Sequence, residues 1–68
     1  MHFTEFSDFR AELGLTQADF GKWLGKRVGR PPYRADTMNR YENGRADIPW
    51  AIRAVIYKHK LEAITATP

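Results

Sequence analysis

The sequence predicts an all-α domain, a compact bundle of four or five short helices. Three observations carry this. Apolar residues recur at helical spacing: Phe6, Phe9 and Leu13, then Phe20 and Leu24, then Met38 and Tyr41, then Ile52, Val55 and Ile56. Residues suited to helix starts stand ahead of three of these stripes, at Thr4, Thr16 and Pro49. A glycine follows each of the first three, at Gly14, Gly25 and Gly44.

The first helix is predicted over Thr4–Glu12. Thr4 caps it, and Glu5 and Asp8 suit the positive end of the helix dipole. Phe3, ahead of the cap, staples onto the apolar stripe. The second helix is predicted over residues 16–24, with Thr16 as cap and Asp19 three residues on in a capping-box position. Gly25 ends it. Gly21 lies inside it at a cost of about 1 kcal/mol relative to alanine, which points to another helix crossing too closely for a side chain. Trp23 borders the stripe and is expected half-buried. Residues 26–33 read as an extended basic loop, because Gly29, Pro31 and Pro32 do not sit in helix interiors. The third helix is predicted over residues 34–43, with Met38 and Tyr41 inward and polar residues around most of its circumference. The fourth begins near Pro49 and runs to about residue 64, or breaks near His59 to give a fifth. Residues 65–68 read as a frayed tail.

At 68 residues the chain has room for one domain, residues 1–68. Such a chain buries only about 60% of the surface its unfolded form exposes. It has no cysteine, so no disulfide and no thiolate zinc site can hold it, and His2 and His59 lie too far apart in sequence to imply a metal site. Tight helix packing or self-association is the remaining route to stability. No apolar run approaches the roughly 18 residues of a membrane helix, and no signal peptide is evident, so the chain reads as soluble and cytoplasmic.

Charge is uneven along the chain. Residues 1–21 sum to −3, residues 22–45 to +5 and residues 46–68 to +1. A solvated basic face is the plain reading of the middle block. A basic centre beside an acidic start points further, to a polyanion site. Enzymatic chemistry is not expected. Ser7 is the sole serine, neither histidine has a carboxylate at useful spacing, and no phosphate-binding loop is present. No cofactor or small-molecule ligand is expected either. RNA binding is disfavoured, since the aromatic residues are committed to apolar stripes rather than to a stacking platform.

Two short helices around a loop, the first carrying a glycine and the second polar and exposed, match the physical description of a helix-turn-helix unit. The stretch LGLTQADFGKWLG (Leu13–Gly25) and then TMNRYENGRADIP (Thr37–Pro49) resembles the lambda-repressor/Cro-like, XRE-type helix-turn-helix family. The resemblance covers Phe6 to Tyr57. Its parts are the LTQ start (Leu15, Thr16, Gln17), Gly21, the Leu24–Gly25 pair, the RYENG end (Arg40–Gly44) and an isoleucine–proline pair before the next helix. The turn departs from the family's shorter pattern, because KRVGRPPY (Lys26–Tyr33) intervenes.

The resemblance implies that the third helix enters the DNA major groove N-terminus first. Ala35, Asp36, Thr37 and Arg40 then face base edges, with Asn39 near the same arc. Arg40 can make two parallel hydrogen bonds to guanine, and Ala35 can touch a thymine methyl. Asp36 accepts from cytosine in one reading. In an equal one it caps the helix or holds Arg34 or Arg40. Gln17 resembles the family glutamine that contacts a phosphate and braces the recognition helix. Asn43 resembles the asparagine that binds a phosphate beyond it, with a helix cap as its other role. Lys22 and Arg45 are phosphate candidates by charge and place, as are Lys26, Arg27, Arg30 and Arg34 in the loop. GRPP (Gly29–Pro32) resembles an AT-hook core, but phosphate contact is the favoured reading over the minor groove. Arg10 and Glu42 match a pair expected to bridge the first and third helices as a structural salt bridge.

The resemblance therefore implies a repressor that binds a palindromic operator as a homodimer, with half-sites about 34–36 Å apart, and represses its own phage or mobile-element operon. The C-terminal helix is the expected dimer interface, through Trp50, Ile56, Leu61 and Ile64. The alternative is an antitoxin that binds a partner toxin as well as its promoter. A neighbouring toxin-like gene would favour the antitoxin. A phage operon carrying anti-CRISPR genes would favour an autorepressor of the anti-CRISPR-associated kind.

Overall fold

The computed structural model describes residues 1–65, and among these it is all-helical. Helix α1 spans Phe3–Leu13, α2 Gln17–Val28, α3 Ala35–Glu42 and α4 Trp50–Thr65. The expected break near His59 is absent. Helix α4 is continuous, so there are four helices among the described residues. Residues 66–68 of the expected frayed tail lie outside the described residues, and Thr65 itself ends α4, its hydroxyl donating to the Leu61 carbonyl at 3.1 Å.

Two helix ends differ from expectation. Helix α1 is capped by His2, whose Nδ1 accepts the Thr4 backbone N–H at 3.2 Å, not by Thr4, which lies inside the first turn. An imidazole nitrogen offers the same acceptor as a hydroxyl, so the cap moves two residues back. Phe3 is consequently the first helical residue rather than a staple ahead of a cap. Its ring stacks on His2, with centroids 4.3 Å apart, and lies against Gly44. Helix α2 does not stop at Gly25. It runs one turn further and ends at Gly29, which takes the left-handed conformation (φ 83°) that a C-terminal cap requires. Lys26, Arg27 and Val28 are therefore helical, and only residues 29–34 connect α2 to α3. At the other end Thr16 caps α2 as expected, its Oγ1 accepting the Asp19 N–H at 3.1 Å.

The core is formed by Phe6, Phe9, Phe20, Leu24, Met38, Tyr41, Ile52 and Ile56. Each apolar stripe named in the sequence contributes to it. Phe20 is central, its ring tilted against Phe6 at 5.1 Å and Phe9 at 6.0 Å, while Tyr41 meets Phe6 edge-on at 5.8 Å. Trp23 is half-buried at the rim, touching Phe9, Phe20 and His59. Helix α2 packs against both α3 and α4, and α1 packs against α3. Burial raises the Tyr41 hydroxyl pKa above its usual 10, with the Tyr33 hydroxyl adding and Arg30 opposing. A folded pKa above the unfolded one favours the protonated folded form. Stability is therefore expected to hold below pH 10 and to fall as pH rises from there toward the folded value. Denaturant midpoints across that range would register the fall, and Tyr41→Phe should reduce it.

Gly21 is buried, but no helix crosses it. The backbone of Tyr33 lies there instead. A Cβ on Gly21 would collide with the Tyr33 carbonyl, and the Tyr33 N–H donates to the Gly21 carbonyl at 3.2 Å. Gly25, one turn on and on the same face, meets Pro32 Cα at 2.9 Å and the Pro31 carbonyl at 3.0 Å from its Cβ position. Two glycines four residues apart thus make a smooth track on α2. The extended, proline-stiffened strand of chain leading into α3 lies in that track.

Candidate nucleic-acid interface

Glu42, the last residue of α3, ties three helices together. Its Oε1 accepts Arg10 Nε from α1 at 2.8 Å, and its Oε2 accepts Gln17 Nε2 from α2 at 2.6 Å. Arg10 Nη1 also donates to the Leu15 carbonyl in the α1–α2 turn at 2.8 Å. The Glu42 side chain is 7% exposed and that of Arg10 26%. The charges are therefore largely withdrawn from water, and both carboxylate oxygens are matched by a donor. The structural salt bridge expected from the sequence is present. Gln17 supplies the brace, committing its amide nitrogen to Glu42.

Helix α3 is held by its inner side, where Met38 and Tyr41 are buried. Ala35, Asp36, Asn39 and Arg40 are exposed, and Thr37 is half-buried. Arg40 makes no ion pair among the described residues that ties it down. Asp36 sits 3.5 Å from Arg34 Nε, both heavily exposed, and its Oδ1 accepts the Thr37 N–H at 3.0 Å. That is the local holding role, in the first turn of the helix. Arg34 occupies the N-cap position without a side-chain cap bond. Asn43 is the C-cap residue, its Nδ2 donating to the Asn39 carbonyl at 2.9 Å, so the capping role is realised. Gly44 takes a positive φ of 70°, and the Arg45 N–H closes back to the Arg40 carbonyl at 2.9 Å.

The basic residues all lie on the surface: Lys22, Lys26, Arg27, Arg30, Arg34 and Arg45 reach solvent. Two are ordered by aromatic rings. The Arg27 guanidinium lies 3.7 Å from the Trp23 ring centroid, with Nη1 donating to the Trp23 carbonyl at 3.3 Å. The Arg30 guanidinium lies 4.0 Å from the Tyr33 centroid. Stacking leaves the edge of a guanidinium free to donate while limiting its rotation. The chain matches no family model, no curated protein and no solved structure.

The sequence names the residues described above but not Tyr33. That residue does two things: its backbone docks on Gly21 and its ring carries Arg30. The available signal was the spacing of Gly21 and Gly25 on one helical face ahead of two prolines. Reading Gly25 as a helix stop concealed it.

Proposed function

We propose that this chain is a sequence-specific, double-stranded-DNA-binding protein of the helix-turn-helix kind, acting as a homodimeric transcriptional repressor of its own operon. The observation that carries the reading is the brace at Glu42. It fixes the C-terminal end of α3 against α1 and α2, while buried Met38 and Tyr41 hold the inner side and a polar outer side is left free, within the stretch of chain that holds the +5 block. A helix so held can enter a major groove without rearranging, which keeps the entropic cost of binding low.

In this reading Arg40 reads a guanine edge, with Ala35, Asp36, Thr37 and Asn39 completing the contact surface. Lys22, Lys26, Arg27, Arg30, Arg34 and Arg45 meet phosphates, and Gln17 and Asn43 offer further polar contacts at the helix ends. The extra turn of α2 puts Lys26 and Arg27 on a rigid element, Arg27 bordering Val55, Lys58 and His59 of α4, and the docked connector carries Arg30 and Arg34. Trp50, Leu61 and Ile64 are exposed on α4 and remain candidates for the dimer contact. Ile56 does not, because it is fully buried in the protein's own core.

Selection of bound duplexes from a random pool tests the reading. A palindromic consensus is expected, and a pool with no enrichment would overturn it. Arg40→Ala should cost about 1–3 kcal/mol on the consensus and relax one base position. Arg30→Ala should weaken binding to all sequences alike and lower the slope of log affinity against log salt by about one. Titrations of both variants on consensus and scrambled duplexes at several salt concentrations separate these outcomes.

A further inference from the structure

Five apolar residues share the face of α4 opposite Ile52 and Ile56: Trp50, Tyr57, Leu61 and Ile64, which are exposed, and Ala54, which is half-buried. They alternate four and three residues apart, a 3.5-residue period maintained over the whole helix, about 24 Å long. Ile52 and Ile56, which fill the core, point the opposite way. The exposures are large: 66% for Trp50, 41% for Tyr57, 62% for Leu61 and 71% for Ile64. An apolar seam of that period fits another helix rather than a sheet or a loop.

We propose that this seam receives the α4 helix of a second copy, antiparallel, and that the pairing is opposed by like charge so that salt strengthens it. The inference rests on the homodimer reading and adds its geometry and its control. Antiparallel pairing follows from residue size. A parallel pair would set Ala54 against the partner's Ala54, leaving a gap, and Trp50 against the partner's Trp50, wedging the helices apart. Reversing one helix sets Ala54 beside the partner's Tyr57, so small meets large there, and Trp50 beside the partner's Leu61 rather than beside a second indole, while Ile64 lies beyond the paired stretch. The paired stretch offers Trp50, Tyr57 and Leu61, all exposed, and so small a seam falls short of the ~1,000 Å² of a stable, specific interface. A weak, reversible dimer is the expected result.

The flanks of the seam are basic. Arg53 and Lys60 border one side and Lys58 the other. Glu62, the only acid on α4, stands 4.0 Å from Lys58. Arg53 lies 5.3 Å from the Trp50 ring, and its buried Nε has no hydrogen-bond partner. In the antiparallel pair Arg53 comes beside the partner's Lys60, and by symmetry this happens twice. Screening relieves that repulsion, and salt also favours apolar burial, so both effects act in one direction. DNA affinity has the opposite salt dependence, because binding releases counterions. Assembly of the free protein and its binding to DNA are therefore pulled apart by ionic strength.

Sedimentation equilibrium of the free, full-length protein at about 0.05 and 0.5 M salt tests this, with screening lengths changing several-fold between the two. Dimerisation should tighten by about three- to ten-fold at the higher salt. Lys60→Glu, which turns two repulsive pairs attractive, should tighten the dimer by about ten-fold at low salt and flatten its salt dependence. Lys58→Glu should change little, since Lys58 flanks the side where the partner's Ala51 lies. Leu61→Asp, at an exposed position, should give a monomer with an unchanged helical signal. A monomer at every salt concentration would overturn the inference and leave the seam to a different protein. Tightening by Lys58→Glu in place of Lys60→Glu would overturn the antiparallel pairing. Neither result bears on the DNA reading, which random-pool selection with monomeric Leu61→Asp tests separately: a half-site consensus supports it and no consensus removes it.

Discussion

Gly21→Ala is expected to destabilise the protein by about 1–3 kcal/mol net, even after the ~1 kcal/mol by which alanine is the better helix former. The new methyl group would occupy the position of the Tyr33 carbonyl. That oxygen belongs to backbone, pinned by the Tyr33 N–H bond to the Gly21 carbonyl and by the two prolines before it, so it has no rotamer to escape into. Relief requires lifting the connector off α2. Overpacking of this kind costs about 1–3 kcal/mol, and losing the hydrogen bond about 1 more. In a domain of this size each kcal/mol lowers the melting temperature by about 4–8 °C, so thermal unfolding would register the change clearly. A variant as stable as the parent, or more so, would show that the connector is not held in the glycine track. The same lift would also tilt α3 and loosen Arg30. On the DNA-binding reading, affinity should then fall by more than the loss of folded protein explains.

Glu42→Ala has an expected effect of similar size, about 2–4 kcal/mol. Removing the carboxylate leaves the Arg10 guanidinium and the Gln17 amide without the acceptor they share, in a place only partly open to water. Breaking a buried pair from one side costs about 3–5 kcal/mol, and the 26% exposure of Arg10 places this case toward the lower figures. The comparison that isolates the cause is a double-mutant cycle. Arg10→Met with Glu42→Leu replaces both charges by apolar groups of similar length, and should recover much of the loss seen in Glu42→Ala. Denaturant unfolding of the single and double variants beside the parent gives the coupling. Additive losses with no recovery would show that Glu42 acts through its helix end alone.

The brace and the glycine track differ in how they could be foreseen. The ion pair joins two residues 32 positions apart, and it is expected from the sequence only because the resemblance matches Arg10 and Glu42 to a bridging pair. The track is a relation between a helix face and a piece of backbone. Backbone carries no residue identity, so nothing in the letters RPPY names what Gly21 makes room for. The same holds for the end of α2. Gly25 and Gly29 are equally good stop signals in isolation. Gly25 stays helical because its bare face is covered by Pro31 and Pro32, whereas Gly29 is free to turn left-handed. His2 displaced Thr4 as the α1 cap by a different route, since an imidazole acceptor serves there although it is not among the usual capping residues.

Local pattern alone determined the all-helical class, most of the residues that meet in the core, the caps at Thr16 and Gly14 and the concentration of positive charge in the middle of the chain. These depend on periodicity and on short-range backbone preferences, which neighbouring residues specify. Tertiary structure decided where α2 ends, what lies on Gly21, which ring holds each stacked arginine, and that Ile56 turns inward while Trp50, Leu61 and Ile64 turn outward. In sequence Ile56 fits both the core stripe with Ile52 and Val55 and the expected dimer face with Trp50, Leu61 and Ile64. The packing of α4 against α2 and against Phe9 of α1 selects which of them water still reaches.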